Sequence, residues 1–160
     1  EYGIALGMKV LGYDPYEVAR DSRVEQVDSL RSLVSSADIV TVHVPHEPET
    51  ENMFDREVFA SFQKRSYFVN TSRGELVDTL ALLDGLNSGH LAGAALDVLD
   101  GEFTPIFNLK DSQAWQYAVE RDNLILTPHI GGSTKDSWRE TQRFVVKKAI
   151  TTILGSRKES

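Results

Sequence analysis

The sequence predicts an α/β protein built on a doubly wound parallel sheet. Three observations carry that prediction. Short apolar runs alternate along the chain with segments of helical period. The runs are apolar almost throughout, as strands are in parallel sheets covered on both faces. Polar residues collect just past the carboxyl ends of those runs, the edge at which open α/β sheets bind ligands.

Residues 9–13 (KVLGY) are short, β-rich and stopped by Asp14-Pro15, which predicts a strand. Asp28 is the expected N-cap of a helix on which Leu30, Leu33, Val34 and Ala37 share a face. Residues 39–44 (IVTVHV) form the next strand, cut off by Pro45. Asp55 is expected to cap a short helix carrying Val58, Phe59 and Phe62. A strand over 67–71 (YFVNT) follows. Asp78 then caps a helix through Leu80, Leu82, Leu83 and Leu86, which Asn87-Ser88-Gly89 ends. Residues 91–99 (LAGAALDVL) contain a strand, and 124–127 (LILT) another. Ser133 or Thr134 opens a long helix with Trp138, Val145, Ala149 and Ile153 on one side. The segment 103–122 holds Trp115 and Tyr117 at no clear core period, and is expected to be a loop or short helix without an assigned role.

Composition bounds the function. A chain of 160 residues, 41% hydrophobic and 26% charged, has the make-up of a single folded domain rather than a disordered segment. No apolar run approaches the length of a membrane helix. Acidic residues outnumber basic ones, 24 to 17, for a formal charge of −7, which disfavours nucleic acid as a partner. Cysteine is absent, so there is no disulfide framework, thiol nucleophile or thiolate metal site. His43, His46 and His90 read as structural or exposed, and no spacing suggests a metal centre. The start of the chain lacks the basic and apolar regions of a secretory leader, so the protein is expected to be cytoplasmic and a piece of something longer.

Four motifs carry chemistry. Asp14 ends a strand where a dinucleotide fold holds the adenosine ribose, and its charge would repel a 2′-phosphate, favouring NAD over NADP. The plainer reading is an Asp-Pro turn. In Asn70-Thr71-Ser72-Arg73-Gly74, an arginine at the mouth of the sheet can bind a carboxylate with two prongs, although most arginines simply lie on the surface. Asp97 closes a strand of small residues that a flat ligand can approach, and Glu102 follows in a loop whose other reading is a solvated acidic turn. His129 sits between a buried strand and two glycines, and an imidazole there suits proton transfer near neutral pH. Its plainer reading is a helix-start histidine satisfied by backbone. An arginine, an acid and a histidine at successive strand ends can together hold and protonate a keto acid.

These residues resemble the nucleotide-binding domain of the D-isomer-specific 2-hydroxyacid dehydrogenases, a Rossmann-like fold. The matching strings are GMKVLGYDPY (7–16), ADIVTVHVPHEPET (37–50), NTSRGELVD (70–78), LAGAALDV (91–98) and LTPHIGGST (126–134), in the family's order. HIGGST is particularly like the 3-phosphoglycerate dehydrogenase branch. The resemblance implies an oxidoreductase that transfers a hydride between NAD(H) and a D-2-hydroxy acid or 2-keto acid. Arg73 would bind the substrate carboxylate and carbonyl, His129 would act as acid and base, and Glu102 would pair with His129. Asp97 would hold the nicotinamide carboxamide and Asp14 the adenosine ribose. His43, Val44, Pro45, Thr71 and Gly131 would line the cofactor. Glu rather than Gln at 102 argues against the formate dehydrogenase branch. A homodimer is implied for the full-length protein.

The sequence also departs from the family. Phe103 stands where proline is usual after the acid. The family's first strand and glycine-rich phosphate loop are lacking, so 1–154 reads as a partial NAD-binding domain and 155–160 as the start of a connection to a substrate domain. A parallel sheet missing an inner strand leaves backbone groups unpaired, so the isolated chain is expected to be inactive. Two other readings stand beside the enzyme: a corepressor-like binding module that senses NAD, and an inactive truncated fragment.

Overall fold

A computed structural model describes residues 2–156. After a short helix α1 (Tyr2–Ala5), strands β1 (Val10–Gly12) and β2 (Val24–Gln26) pair in parallel as a separate two-stranded sheet. The main sheet has four parallel strands in the order β3 (Ile39–Val42), β4 (Ser66–Asn70), β5 (Leu91–Leu96) and β6 (Leu124–Leu126). Helices α2 (Leu30–Ser36), α3 (Arg56–Ala60), α4 (Thr79–Asn87), α5 (Gln113–Glu120) and α6 (Lys135–Ser156) complete the chain.

Helix starts follow side-chain capping. The carboxylates of Asp55 and Asp78 accept from Val58 N and Ala81 N, as expected. The cap of α2 is Ser29, whose hydroxyl accepts from Ser32 N, and not Asp28. Ser88 ends α4, and Gly89 turns the chain away at φ 72°. Segment 103–122, expected to be a loop or short helix, is partly helical. It holds a 3₁₀ turn and α5, which Ser112 caps and which buries Ala114 against the core with Tyr117 and Ala118 beside it.

One core forms between the main sheet and α2–α5. Val40, Val42, Phe68, Leu91, Leu96 and Leu124 point into it from the strands, and Val34, Phe59, Leu82 and Leu86 from the helices. At its centre Phe68 stands 5.0 Å from Phe54 and 5.3 Å from Phe59, ring centre to ring centre. Edge-on and tilted pairs of this kind add to simple burial.

The opposite face of the sheet differs from expectation. Ile39, Tyr67 and Ile125 remain at least half exposed there, so α2–α5 cover one face of the sheet. The physical reason is handedness. Right-handed crossovers between strands that advance in one direction place their helices on one side of the sheet. The β1-to-β2 connection, 13–23, contains no helix that could cover the other side.

α6 is a continuous helix whose Trp138, Val145, Val146 and Ile150 are all more than half exposed. The expected connection at 155–160 lies within α6 up to Ser156 and beyond that outside the described residues. No helix is long and apolar enough to cross a membrane among the described residues.

Candidate active site

All four strands of the main sheet run in one direction, so their carboxyl ends share one edge. β3 delivers His43, Val44 and Pro45 to it, and β4 delivers the 70–74 turn. β5 delivers Asp97 and the loop with Glu102, and β6 delivers Thr127 to His129. This is the direct consequence of parallel pairing, and it gathers residues far apart in sequence.

A close carboxylate–imidazole contact at this edge joins Glu102 to His129. Glu102 Oε1 lies 2.6 Å from His129 Nδ1, with 14% of the acid side chain and 33% of the imidazole accessible. Two conformational devices bring them together. Gly101 takes φ 70°, turning the loop so that Glu102 N–H donates to the Leu99 carbonyl. His129 itself takes φ 51°, a left-handed backbone that costs a non-glycine residue about 1–3 kcal/mol.

Asp97 offsets that cost. It is 6% exposed, and its carboxylate accepts three hydrogen bonds from the 127–131 turn. Oδ1 takes the Thr127 hydroxyl and the Ile130 N–H (3.0 Å), and Oδ2 takes the Gly131 N–H (2.7 Å). The Asp97 carbonyl accepts from His129 N at 2.9 Å. Burial alone would raise the Asp97 pKa; the Thr127 hydroxyl, the Gly131 and Ile130 amides and nearby His129 outweigh it and hold the carboxyl below its ordinary value. Gly131 makes this grip possible, because a Cβ there would lie 2.9 Å from Asp97 Oδ2.

Arg73 sits on the neighbouring loop. It is exposed, and its Nη1 donates to the Ser72 carbonyl at 2.7 Å within its own turn. No bond joins it to Glu102 or His129 among the described residues. The two loops nonetheless touch: Gly74 is buried so closely against the Leu99–Asp100 peptide that any Cβ would collide with it.

The remaining expected residues are placed as follows. Thr71 is exposed at the sheet edge beside Asn70. His43 Nε2 meets Thr41 Oγ1 at 3.0 Å, and the Pro45 carbonyl accepts from Thr50 Oγ1 at 2.9 Å. Val44 packs partly against the core. Asp14 stands apart, at the end of β1 in the two-stranded sheet, where Oδ1 accepts from Tyr16 N and Glu17 N.

A cavity of about 490 Å³ opens beside His129, walled by Gly132, Ser133 and the α6 residues Trp138, Thr141, Gln142, Val145 and Val146. Phe103 approaches the imidazole from the other loop, ring centres 5.4 Å apart. Sequence reasoning did not single out Asn70, Ser72 or Thr127. Their signal was present as polar residues at the ends of buried strands, but polarity there does not by itself distinguish a solvated turn from a buried anchor.

Comparison with known proteins accords with this architecture. Residues 2–131 match the family model described as D-isomer specific 2-hydroxyacid dehydrogenase, NAD binding domain. A putative D-3-phosphoglycerate dehydrogenase of Schizosaccharomyces pombe is 42% identical over 139 residues, 83% of this chain and 29% of its own length. The D-3-phosphoglycerate dehydrogenase of Escherichia coli K12 is 41% identical over 146 residues, 91% of this chain and 35% of its own. The NAD-complexed D-isomer specific 2-hydroxyacid dehydrogenase of Lactobacillus delbrueckii ssp. bulgaricus superposes with a TM-score of 0.81 at 31% identity. That match covers 95% of this chain and 48% of that one. The chain thus spans about a third of the length of these curated relatives. With the fold, the order of strand ends and the matched stretch in agreement, the chain belongs to the D-isomer-specific 2-hydroxyacid dehydrogenase family, in its NAD-binding domain.

Proposed function

We propose that the protein is an NAD-dependent oxidoreductase that interconverts a D-2-hydroxy acid and its 2-keto acid, with this chain as part of its nucleotide-binding half. The observation that carries the reading is the Glu102–His129 pair, 2.6 Å apart, at the carboxyl edge of a parallel sheet and beside a cavity. A carboxylate on one ring nitrogen fixes the orientation of the imidazole. Because Glu102 occupies Nδ1, Nε2 is the nitrogen left to exchange a proton with a substrate oxygen.

The residues fit a dinucleotide. Asp14 is exposed at a strand end, with Oδ1 committed to its turn and Oδ2 without a partner among the described residues. That leaves an acceptor for ribose hydroxyls. Among the described residues Asp97 Oδ2 accepts one N–H, from Gly131, which leaves a lone pair for a carboxamide. His43 to Pro45, Thr71 and Gly131 lie along the same sheet edge and would line the cofactor. Bound nicotinamide supplies or accepts the hydride. Arg73 binds the substrate carboxylate and orients the carbonyl. In reduction His129 gives its proton to the carbonyl oxygen as the carbon gains hydride; in oxidation it takes the hydroxyl proton back. Glu102 holds the imidazole through both directions. Small 2-hydroxy or 2-keto acids are the partners, and a cytoplasmic homodimer belongs to the same proposal, carried by the motif resemblance.

The test is His129→Ala in the complete protein, followed as NADH oxidation with pyruvate and other simple 2-keto acids. Turnover should fall by about 10²–10⁴, the usual contribution of a general acid–base. Turnover near that of the parent would remove the mechanism.

A further inference from the structure

The Arg73 turn is built around a residue that the mechanism above does not use. Asn70 ends β4 with 1% of its surface exposed. Its Oδ1 accepts from Ser72 N at 2.9 Å, and its Nδ2 donates to the Arg73 carbonyl at 2.7 Å. Its own carbonyl accepts from Asp97 N at 2.9 Å. Ser72 is tied in turn to β3, its hydroxyl donating to the Val42 carbonyl at 3.0 Å. One buried amide therefore binds the turn at two points, while β3 and β5 hold it from either side. Immediately beyond Arg73, Gly74 rests on the Leu99–Asp100 peptide without room for a Cβ. That peptide opens the turn that carries Glu102.

We infer that Asn70 is a positioning residue: by gripping the Arg73 carbonyl it fixes where the guanidinium leaves the backbone relative to the Glu102–His129 pair. The backbone contact at Gly74 transmits that position with no slack, because two main chains in van der Waals contact leave no compressible side chain between them. Arg73 is extended, at φ −146° and ψ 143°, and exposed, and its backbone is restrained by this turn and by the adjacent Gly74 contact. A guanidinium that must meet a carboxylate with two prongs tolerates little displacement, and a misplacement of about 1 Å costs up to about a hundredfold.

The inference rests on Arg73 being the carboxylate binder, and the experiment separates the two. In the complete protein, Asn70→Asp keeps the shape and the acceptor but deletes the donor to the Arg73 carbonyl. Assayed with D-lactate and D-3-phosphoglycerate in the presence of NAD, it should raise KM for the substrate that turns over by about tenfold or more. kcat should change less, and the Kd for NADH, read by fluorescence, should stay within about twofold. The deciding measurement is the cycle with Arg73→Ala: the KM effect of Asn70→Asp should vanish once the guanidinium is gone. An equal effect in both backgrounds overturns the inference, since Asn70 would then act on the fold alone. If Arg73→Ala itself leaves KM and kcat untouched, the functional reading falls instead. Should Asn70→Asp prove too unstable to assay, Ser72→Ala frees the same turn from β3. It must then show a smaller KM increase with the same disappearance in the Arg73→Ala background, and persistence there counts against the inference.

Discussion

The two sheets of this protein use the same parallel pairing and have very different interiors. Every buried side chain among the described residues lies at or after Val34, in the four-stranded half, and none lies in β1, β2 or the connection between them. β1 is half-buried throughout, and in β2 only Val24 is. The four-stranded half, by contrast, closes a single core over α2–α5. The difference bears on chemistry as well as stability. The residues assigned to proton transfer and carboxylate binding stand on the well-packed half, where rigid neighbours fix their spacing. The residue assigned to the adenosine ribose stands on the two-stranded ribbon. On the proposed roles, catalytic geometry and cofactor selectivity would rest on supports of unequal burial.

The sharpest way to break this comparison is to truncate one apolar side chain on each side of it. Phe68 is fully buried between Phe54, Phe59 and Phe62. Phe68→Ala should cost about 3–5 kcal/mol by denaturant unfolding. Leu11→Ala in β1 removes a half-buried side chain and should cost about 1 kcal/mol. Equal costs would show that the ribbon is as tightly built as the main sheet.

A smaller effect is expected at Asp97, and it carries a pH signature. The carboxyl is held below its ordinary value of 3.8. An acid with a depressed pKa stabilises the fold fully above its unfolded pKa, and that contribution is lost as pH falls through the folded value. Asp97→Asn should therefore destabilise by about 1–3 kcal/mol at neutral pH, because donors at Thr127, Ile130 and Gly131 lose a charged acceptor. The gap between variant and parent should narrow as pH drops below about 4. A gap that stays constant down to pH 2 would mean that the charge of Asp97 contributes nothing to the His129 turn.

How much of this was legible beforehand follows the same division between strong local signals and tertiary ones. The four strands of the main sheet were legible from their apolar runs, and Asp55 and Asp78 as caps from an acid placed ahead of a helical period. β2 was not: Glu25 and Gln26 are exposed, and Val24 alone gives no alternation to read. α5 was legible as no more than a loop or short helix without a role, because its inward face is Ala114, Tyr117 and Ala118, too small and too mixed to announce a core. Ser29 rather than Asp28 capped α2 because both are good acceptors, and the one whose backbone is extended at the junction wins. The meeting of Glu102 with His129 was expected from family resemblance, and no local pattern encodes it. Asn70 illustrates the limit. It is flanked by the ends of β3 and β5, which pair with it on either side, and no stretch of sequence shorter than 42–97 contains that information.

The ribbon offers the finest test, at Asp14. Its Oδ1 is already spent on the amides of Tyr16 and Glu17, at 2.9 and 3.1 Å, so the turn and the ribose draw on different oxygens of one carboxylate. Asp14→Asn can keep the acceptor for the turn while deleting the charge. If the carboxylate reads the ribose, the Kd for NADH should rise about tenfold, the scale of a lost charge-assisted hydrogen bond. Binding of NADPH should weaken less or improve, because repulsion of the 2′-phosphate is relieved. Fluorescence titration of both nucleotides against the complete protein measures the ratio directly. Thermal unfolding should barely move, since an exposed turn on the thinly packed sheet contributes little to the core. An unchanged NADH-to-NADPH ratio would make Asp14 a turn residue and nothing more. A large loss of stability would instead show that the ribbon and the main sheet fold as one tightly coupled unit, against the contrast drawn between them.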